Sequence, residues 1–171
     1  MKGRIHLYTG NGKGKTTAAF GLSLRAAGAG KKIFFAQFVK GKIYSEIKAV
    51  EKFLPAITVK QYGLKCFIVD IPKAEDIEAA QKGLQEVEAV MASGKYDIIV
   101  LDEITIALFY KLVPLEELLR ILKNRPENTE LILTGRYAPR ELIAFSDLVT
   151  EMQEVKHYYH EGVKAREGIE F

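Results

Sequence analysis

The apolar positions of this chain fall in short continuous blocks, separated by stretches in which they recur with helical spacing. That pattern predicts strands alternating with helices. Arg4-Ile5-His6-Leu7-Tyr8 is a β-rich run that ends in a glycine-rich stretch from Gly10 to Gly14. Lys15 to Ala27 reads as a helix stopped by Gly28 and Gly30. Lys32 to Phe38 predicts a second strand, Ser45 to Phe53 a short helix capped by Ser45, and Ile57 to Tyr62 a third strand. Gly63 to Lys73 is irregular, and Ala74 to Ser93 is a long amphipathic helix ending before Gly94. The run from Tyr96 to Leu101 is the mark of a strand buried on both faces of a parallel sheet. Leu115 to Lys123 reads as a helix entered through Pro114, a residue suited to a first turn. Glu130 to Thr134 is another buried strand, Pro139 to Phe145 a helix and Leu148 to Met152 a last strand. The tail from Lys156 reads as irregular or edge strand. The expected class is α/β, a parallel sheet with helices on both faces.

Length and composition narrow this little. At roughly 150 residues per domain, 171 residues make one domain, and 48% apolar with 27% charged is ordinary for a globular protein. The formal charge of +3 is too small and too scattered for a nucleic-acid binder. Cys66 alone cannot build a disulfide scaffold, which suits a reducing cytoplasm. No run is apolar enough to span a membrane, and the first strand starts too near Met1 to leave room for a signal peptide. Chemistry has to come from the loops.

The first such loop is Thr9-Gly10-Asn11-Gly12-Lys13-Gly14-Lys15-Thr16-Thr17. Gly14-Lys15-Thr16 matches the end of the phosphate-binding pattern G-x-x-x-x-G-K-[ST], although Thr9 stands where the pattern begins with glycine. Glycines at 10, 12 and 14 let successive backbone N–H groups curl into an anion nest, and the positive end of the next helix points at the same spot. Lys15 is placed to bridge phosphate oxygens and the Thr16 hydroxyl to ligate magnesium, while Lys13 reads as a general counter-charge. The competing reading is a flexible turn, and strand, loop and helix in register weigh against it.

Asp102 and Glu103 directly follow the buried run. A carboxylate at the carboxyl end of a strand neighbouring the phosphate loop is where P-loop proteins hold magnesium. The alternative makes one of the pair a cap for a helix from Ile104 onward. Arg136, in Thr134-Gly135-Arg136, ends another buried strand and either meets phosphate oxygens through its planar fork or makes a surface ion pair. Gln37 and Lys40 end the second strand and either reach a ligand or solvate the strand end. His6 reads as structural, and neither a zinc-spaced cluster nor a serine nucleophile signature is present.

Taken together, these residues resemble the P-loop-type ATP:cob(I)alamin (corrinoid) adenosyltransferase family. The likeness is carried by Tyr8 through Gly21, by Gln37-Phe38-x-Lys40-Gly41 and by Val100-Leu101-Asp102-Glu103. Near the end it continues through Leu133-Thr134-Gly135-Arg136, Asp147-x-Val149-Thr150-Glu151-Met152, Val155-Lys156-His157 and Gly162-Val163-Lys164-Ala165-x-x-Gly168-Ile169-Glu170. A phosphate loop alone is shared by many unrelated ATPases, and the tail makes the match far more specific.

The resemblance implies a RecA-like P-loop NTPase fold, with a mostly parallel sheet, forming one nucleotide-binding domain over residues 1–171. It implies that cobalt(I) of a reduced corrinoid attacks the 5′ carbon of ATP and that tripolyphosphate leaves. Cobalt is the nucleophile, so no general base is required. Lys15 and Glu103 would act on the reaction. Gly10, Asn11, Gly12, Lys13, Gly14, Lys15, Thr16, Thr17 and Arg136 would hold ATP, and Thr16, Asp102 and Glu103 would attend Mg2+ or Mn2+. The expected partners are a cobalt(II)-reducing flavoprotein and a second copy in a cytoplasmic homodimer, with neither nucleic acid nor membrane.

Two features depart from the family. Many members carry an amino-terminal extension that helps cover the corrinoid, whereas here the first strand lies close to Met1. Members also tend to carry Gly-Phe-Thr-Trp to detach the corrinoid's lower ligand. Here Gly63-Leu64-Lys65-Cys66-Phe67 stands there, with Phe67 one place along and no Trp in the chain. A P-loop ATPase or kinase with another acceptor, and a non-catalytic ATP-binding module, remain the alternatives.

Overall fold

Strand β2 (Ile33–Phe38) sets the layers, because every one of its side chains is buried and successive ones point to opposite faces. Ile33 and Phe35 pack on one side against Ala19, Ala26 and Val50. Phe34, Ala36 and Phe38 pack on the other against Leu84, Val87, Ile104, Leu118 and Leu142. The computed structural model describes residues 2–64 and 71–171. In chain order its elements are β1 (Ile5–Thr9), α1 (Lys15–Gly28), β2, α2 (Ser45–Phe53), β3 (Ile57–Tyr62) and α3 (Ala74–Ala92). There follow β4 (Ile98–Asp102), α4 (Ile104–Phe109), α5 (Leu115–Lys123), β5 (Glu130–Thr134), α6 (Arg140–Phe145) and β6 (Leu148–Glu151). A 3-10 turn, Tyr158–Glu161, lies in the tail.

The six strands pair in the order β3-β2-β4-β5-β1-β6, and every pairing is parallel. Helices α1 and α2 cover one face, and α3 to α6 cover the other. All loops leaving the carboxyl ends of the strands therefore gather along one edge, where ligands of such sheets bind. The architecture is α/β and consistent with a P-loop NTPase-like domain.

Several sequence expectations are corrected in detail. Ser45 starts α2 but does not cap it: Tyr44 occupies that position, and the Ser45 hydroxyl donates 3.0 Å to the Phe171 carbonyl. Pro139, expected as the first residue of its helix, stands just before it in extended backbone, as Pro114 does at the entry to α5. The strand carrying Asp102 does not neighbour β1, because β5 lies between them. Of the two forms expected for the tail from Lys156, the irregular one is found: among the described residues it has no regular element apart from the 3-10 turn, and it folds back over the carboxyl edge of the sheet. The stretch Lys65-Cys66-Phe67 lies outside the described residues.

Candidate active site

Gly10 and Gly14 adopt φ of 93° and 116°, conformations open to glycine, and they turn the chain from β1 into α1. Glycine at 10 and 12 has a second cause. A Cβ at either position would stand 2.4 Å or 2.7 Å from the Met152 carbonyl oxygen. The Gly12 N–H donates to that oxygen at 2.6 Å, so it is committed to the segment after β6 and does not face the anion nest. Among the donors left for an anion are the first-turn N–H groups of α1, which have no intrahelical acceptor. Lys15 is curled into the loop, its Nζ donating to the Gly10 carbonyl at 2.8 Å and the Gly12 carbonyl at 2.7 Å. One of its three N–H groups remains for a ligand. Burial, reinforced by Arg136 and Lys40, pulls its pKa below the usual lysine value.

Asp102 is the hub of the floor. It is 0% exposed, and four side chains converge on it. Thr16 Oγ1 donates to Oδ1 at 2.9 Å and Thr134 Oγ1 at 2.7 Å. Lys40 Nζ donates to Oδ2 at 2.8 Å and Gln37 Nε2 at 3.2 Å. Thr134 belongs to β5, and its hydroxyl bridges the strand that separates the loop from β4. Burial works against the Lys40 charge, but Asp102 and Glu103 outweigh it and hold that ammonium above the ordinary lysine pKa.

Glu103 follows in a left-handed conformation, φ 58°, with its N–H bonded to Thr134 Oγ1 at 3.0 Å. This turns its side chain away from the floor and into the cleft. Burial and then the adjacent Asp102 push its carboxyl above the usual range, against the pull of Lys40, Lys15 and Arg136. It stands before α4 without capping it through its side chain. Beneath it, Gly135 has φ 137°, and a Cβ there would fall 2.1 Å from Thr105 Oγ1, whose hydroxyl donates to the Arg136 carbonyl at 2.7 Å. Gly135→Ala therefore combines backbone strain with overpacking. It is expected to lower stability by about 3 kcal/mol, read as an earlier urea midpoint with unchanged slope.

The carboxy-terminal tail closes one end of the cleft. The Glu170 carboxylate accepts from Lys13 Nζ at 2.7 Å, from the Arg166 N–H at 2.7 Å and from the Tyr158 hydroxyl. The Phe171 ring lies against Tyr44, with centroids 6.3 Å apart. Arg166, then Lys13 and Tyr158, hold the Glu170 carboxyl far below the usual carboxylate range. A carboxylate whose folded pKa is depressed adds stability above its unfolded pKa, and that contribution is lost as pH falls through the folded value. The clasp should thus stay shut through mildly acid pH and open only in strong acid. At neutral pH, Glu170→Gln should speed amide hydrogen exchange in residues 166–171 by at least about tenfold, while exchange in β4 stays unchanged.

These parts enclose a cleft of about 680 Å³ lined by residues 12–17, Lys40, Glu103, Arg136 and the tail from Gly168 to Phe171, with Phe20, Tyr44 and Ala49 along an apolar wall. Of the residues expected from sequence, Gly12, Lys13, Gly14, Lys15, Thr16, Thr17, Glu103 and Arg136 meet there. Gly10 and Asn11 shape the loop without lining the cleft, and Asp102 lies below its floor. Lys13 is engaged by the tail rather than free over the loop. Thr134 and Lys40 are the partners sequence reasoning undervalued. Each sits at a strand's carboxyl end in a quoted motif, but only the sheet order shows that both reach Asp102.

The donor set suits a hard, oxygen-seeking cation. The Thr16 hydroxyl and the Asp102 carboxylate lie within 2.9 Å of each other, and the Lys40 ammonium touches both, showing that a positive group is accommodated beside them.

Several relatives of this chain carry a common description. It is 38% identical over 172 residues to the corrinoid adenosyltransferase of Escherichia coli (strain K12), covering 99% of this chain and 86% of that protein. The match to the corrinoid adenosyltransferase CobA of Salmonella typhimurium has the same identity and coverage. A corrinoid adenosyltransferase from Sinorhizobium sp is 36% identical over 173 residues, covering 99% of this chain and 81% of that protein. With a family model matching residues 1–171 around the cleft just described, the chain belongs to the ATP:corrinoid adenosyltransferase BtuR/CobO/CobP family.

Proposed function

We propose that this protein, as a single domain, transfers the 5′-deoxyadenosyl group of ATP to the cobalt(I) of a reduced corrinoid and releases tripolyphosphate. In this reaction the cobalt electron pair forms the bond to C5′, the C5′–O5′ bond breaks, and its electron pair leaves on the triphosphate. The observation that carries the reading is the cleft itself. Lys15, Arg136 and the first turn of α1 gather positive charge where a polyphosphate departs, and no side chain is required to attack. The apolar wall of Phe20, Tyr44 and Phe171 suits the adenosine end.

Thr16 and Asp102 would hold magnesium or manganese, with Glu103 reaching the ion or its water from the cleft side. A bound divalent ion supplies charge to the triphosphate oxygens. Lys15 keeps one N–H for the leaving chain, and Arg136 offers a planar fork at the cleft mouth. The tail is pinned to the loop end by the Lys13–Glu170 clasp. Among the described residues no helix is long and apolar enough to cross a membrane. A cytoplasmic homodimer supplied with cobalt(I) by a flavoprotein completes the proposal.

The test is to mix the protein with ATP, magnesium and chemically reduced cob(I)alamin in the dark and follow the visible spectrum. The expected product is a photolabile adenosylcobalamin. ATP cleavage without that product would point instead to an ATPase or kinase, and ATP binding without any turnover to a non-catalytic module.

A further inference from the structure

Lys40 occupies a position that the sequence motif does not explain. Its Nζ lies 2.8 Å from Asp102 Oδ2 and 3.1 Å from Thr16 Oγ1, so one ammonium touches both of the groups read above as metal ligands. The Thr16 hydroxyl gives its proton to Asp102 and accepts one from Lys40, which takes up an oxygen lone pair that a metal would need. The side chain is only 18% exposed, and it also lines the cleft.

The backbone is constrained to put it there. Val39 has φ 59°, a left-handed conformation that is an outlier for a β-branched residue. The flanking glycines lock the turn: a Cβ at Gly41 would meet the Leu64 carbonyl oxygen at 2.4 Å, and one at Gly63 would meet the Lys40 nitrogen at 2.5 Å. Local strain of this kind persists only where the surroundings over-determine it. Here its product is an inward lysine.

We propose that Lys40 is a resident cation that fills the metal position while the cleft holds no nucleotide. A divalent ion then enters efficiently only with the triphosphate, whose oxygens receive the displaced ammonium. The inference rests on Thr16 and Asp102 being the metal's ligands. A bare divalent ion must separate an ammonium from a buried carboxylate and leave it only the single carboxylates of Glu103 and Glu46 in the cleft, the first of which the ion itself attracts. With the triphosphate present, the acceptor lies in the same cleft. Metal and nucleotide binding are thereby coupled, each tightening the other by the same factor. Gln37 and Thr134 stay on Asp102 throughout and keep its carboxylate oriented.

The experiment is a Mn2+ titration of the whole chain, followed by the electron paramagnetic resonance of Mn2+, with and without ATP and without corrinoid, each ATP arm read against a protein-free Mn2+–ATP blank because ATP binds the ion by itself. Wild type is compared with Lys40→Met and with Lys40→Gln, which keeps a donor for Asp102 should the methionine variant fold poorly. Removing the competing charge should tighten nucleotide-free Mn2+ binding by at least about tenfold and shrink the ATP-induced gain by the same factor. Equal nucleotide-free affinity in wild type and the folded variants, with Mn2+ and ATP still binding wild type together, overturns the resident-cation role and leaves the metal ligands standing. Failure of Mn2+ to bind wild type even with ATP removes Thr16 and Asp102 as ligands, and the inference with them.

Discussion

Lys15→Ala should reduce turnover by at least about 10³-fold while the protein remains folded. The size of the effect follows from where charge accumulates. When the C5′–O5′ bond breaks, the triphosphate gains a full negative charge, and Lys15 is the buried cation already at the loop. Its position is held by the Gly10 and Gly12 carbonyls, so little reorganisation is needed as the charge develops. An alanine there leaves the N–H groups of α1, Arg136 and Lys40, but no cation held within the loop itself. Stability responds far less. Burial already works against the Lys15 charge, and the two released carbonyls can return to water at the cleft. Unfolding should shift by no more than about 1 kcal/mol. Single-turnover kinetics with saturating ATP, beside a urea melt of the same preparation, reads both quantities. A fully active variant would show that the loop does not cradle the leaving group.

Asp102→Ala should have the opposite signature, a large loss of stability together with the loss of metal-dependent activity. Four donors converge on a fully buried carboxylate, and one of them carries a charge. Removing the acceptor leaves Lys40 with only the Thr16 hydroxyl and takes from Thr16, Thr134 and Gln37 the acceptor of their hydroxyl and amide protons. Breaking a buried ion pair from one side typically costs about 3–5 kcal/mol. Lys40 can partly escape into the cleft, so the lower end, about 3 kcal/mol, is expected. Asp102→Asn keeps the shape and should cost less. Its amide nitrogen must face one of the donors, so it cannot satisfy both sides of the hub. A urea midpoint for Asp102→Ala equal to wild type would mean that the four contacts do not persist in solution.

The two variants together separate what was legible in the sequence from what was not. The loop, Thr16 and Lys15 could be read directly, because glycine spacing and a following helix are local properties. The buried strands could be read for the same reason, since Ile98 to Leu101 is apolar without interruption. The Asp102 hub could not. It depends on β5 standing between β1 and β4, so that Thr134 spans the gap, and strand order is a consequence of packing rather than of local pattern. The fate of the Gly12 N–H was hidden likewise, because its acceptor at Met152 is distant in the chain. Helix α4 has six residues, too few to display a period, and appeared in the sequence only as a possible onset at Ile104. The tail motif was visible as a family likeness. Its clasp on Lys13 required the fold.

The cleft chemistry makes a specific demand on the phosphorus products. Attack at C5′ leaves the three phosphates joined, whereas phosphoryl transfer or hydrolysis separates them. Phosphorus NMR of a reaction containing ATP, magnesium and cob(I)alamin distinguishes the two directly. The account predicts intact tripolyphosphate accumulating in equal amount to adenosylcobalamin, with no ADP. ADP and orthophosphate forming in step with ATP loss, and no tripolyphosphate at any time, would contradict it.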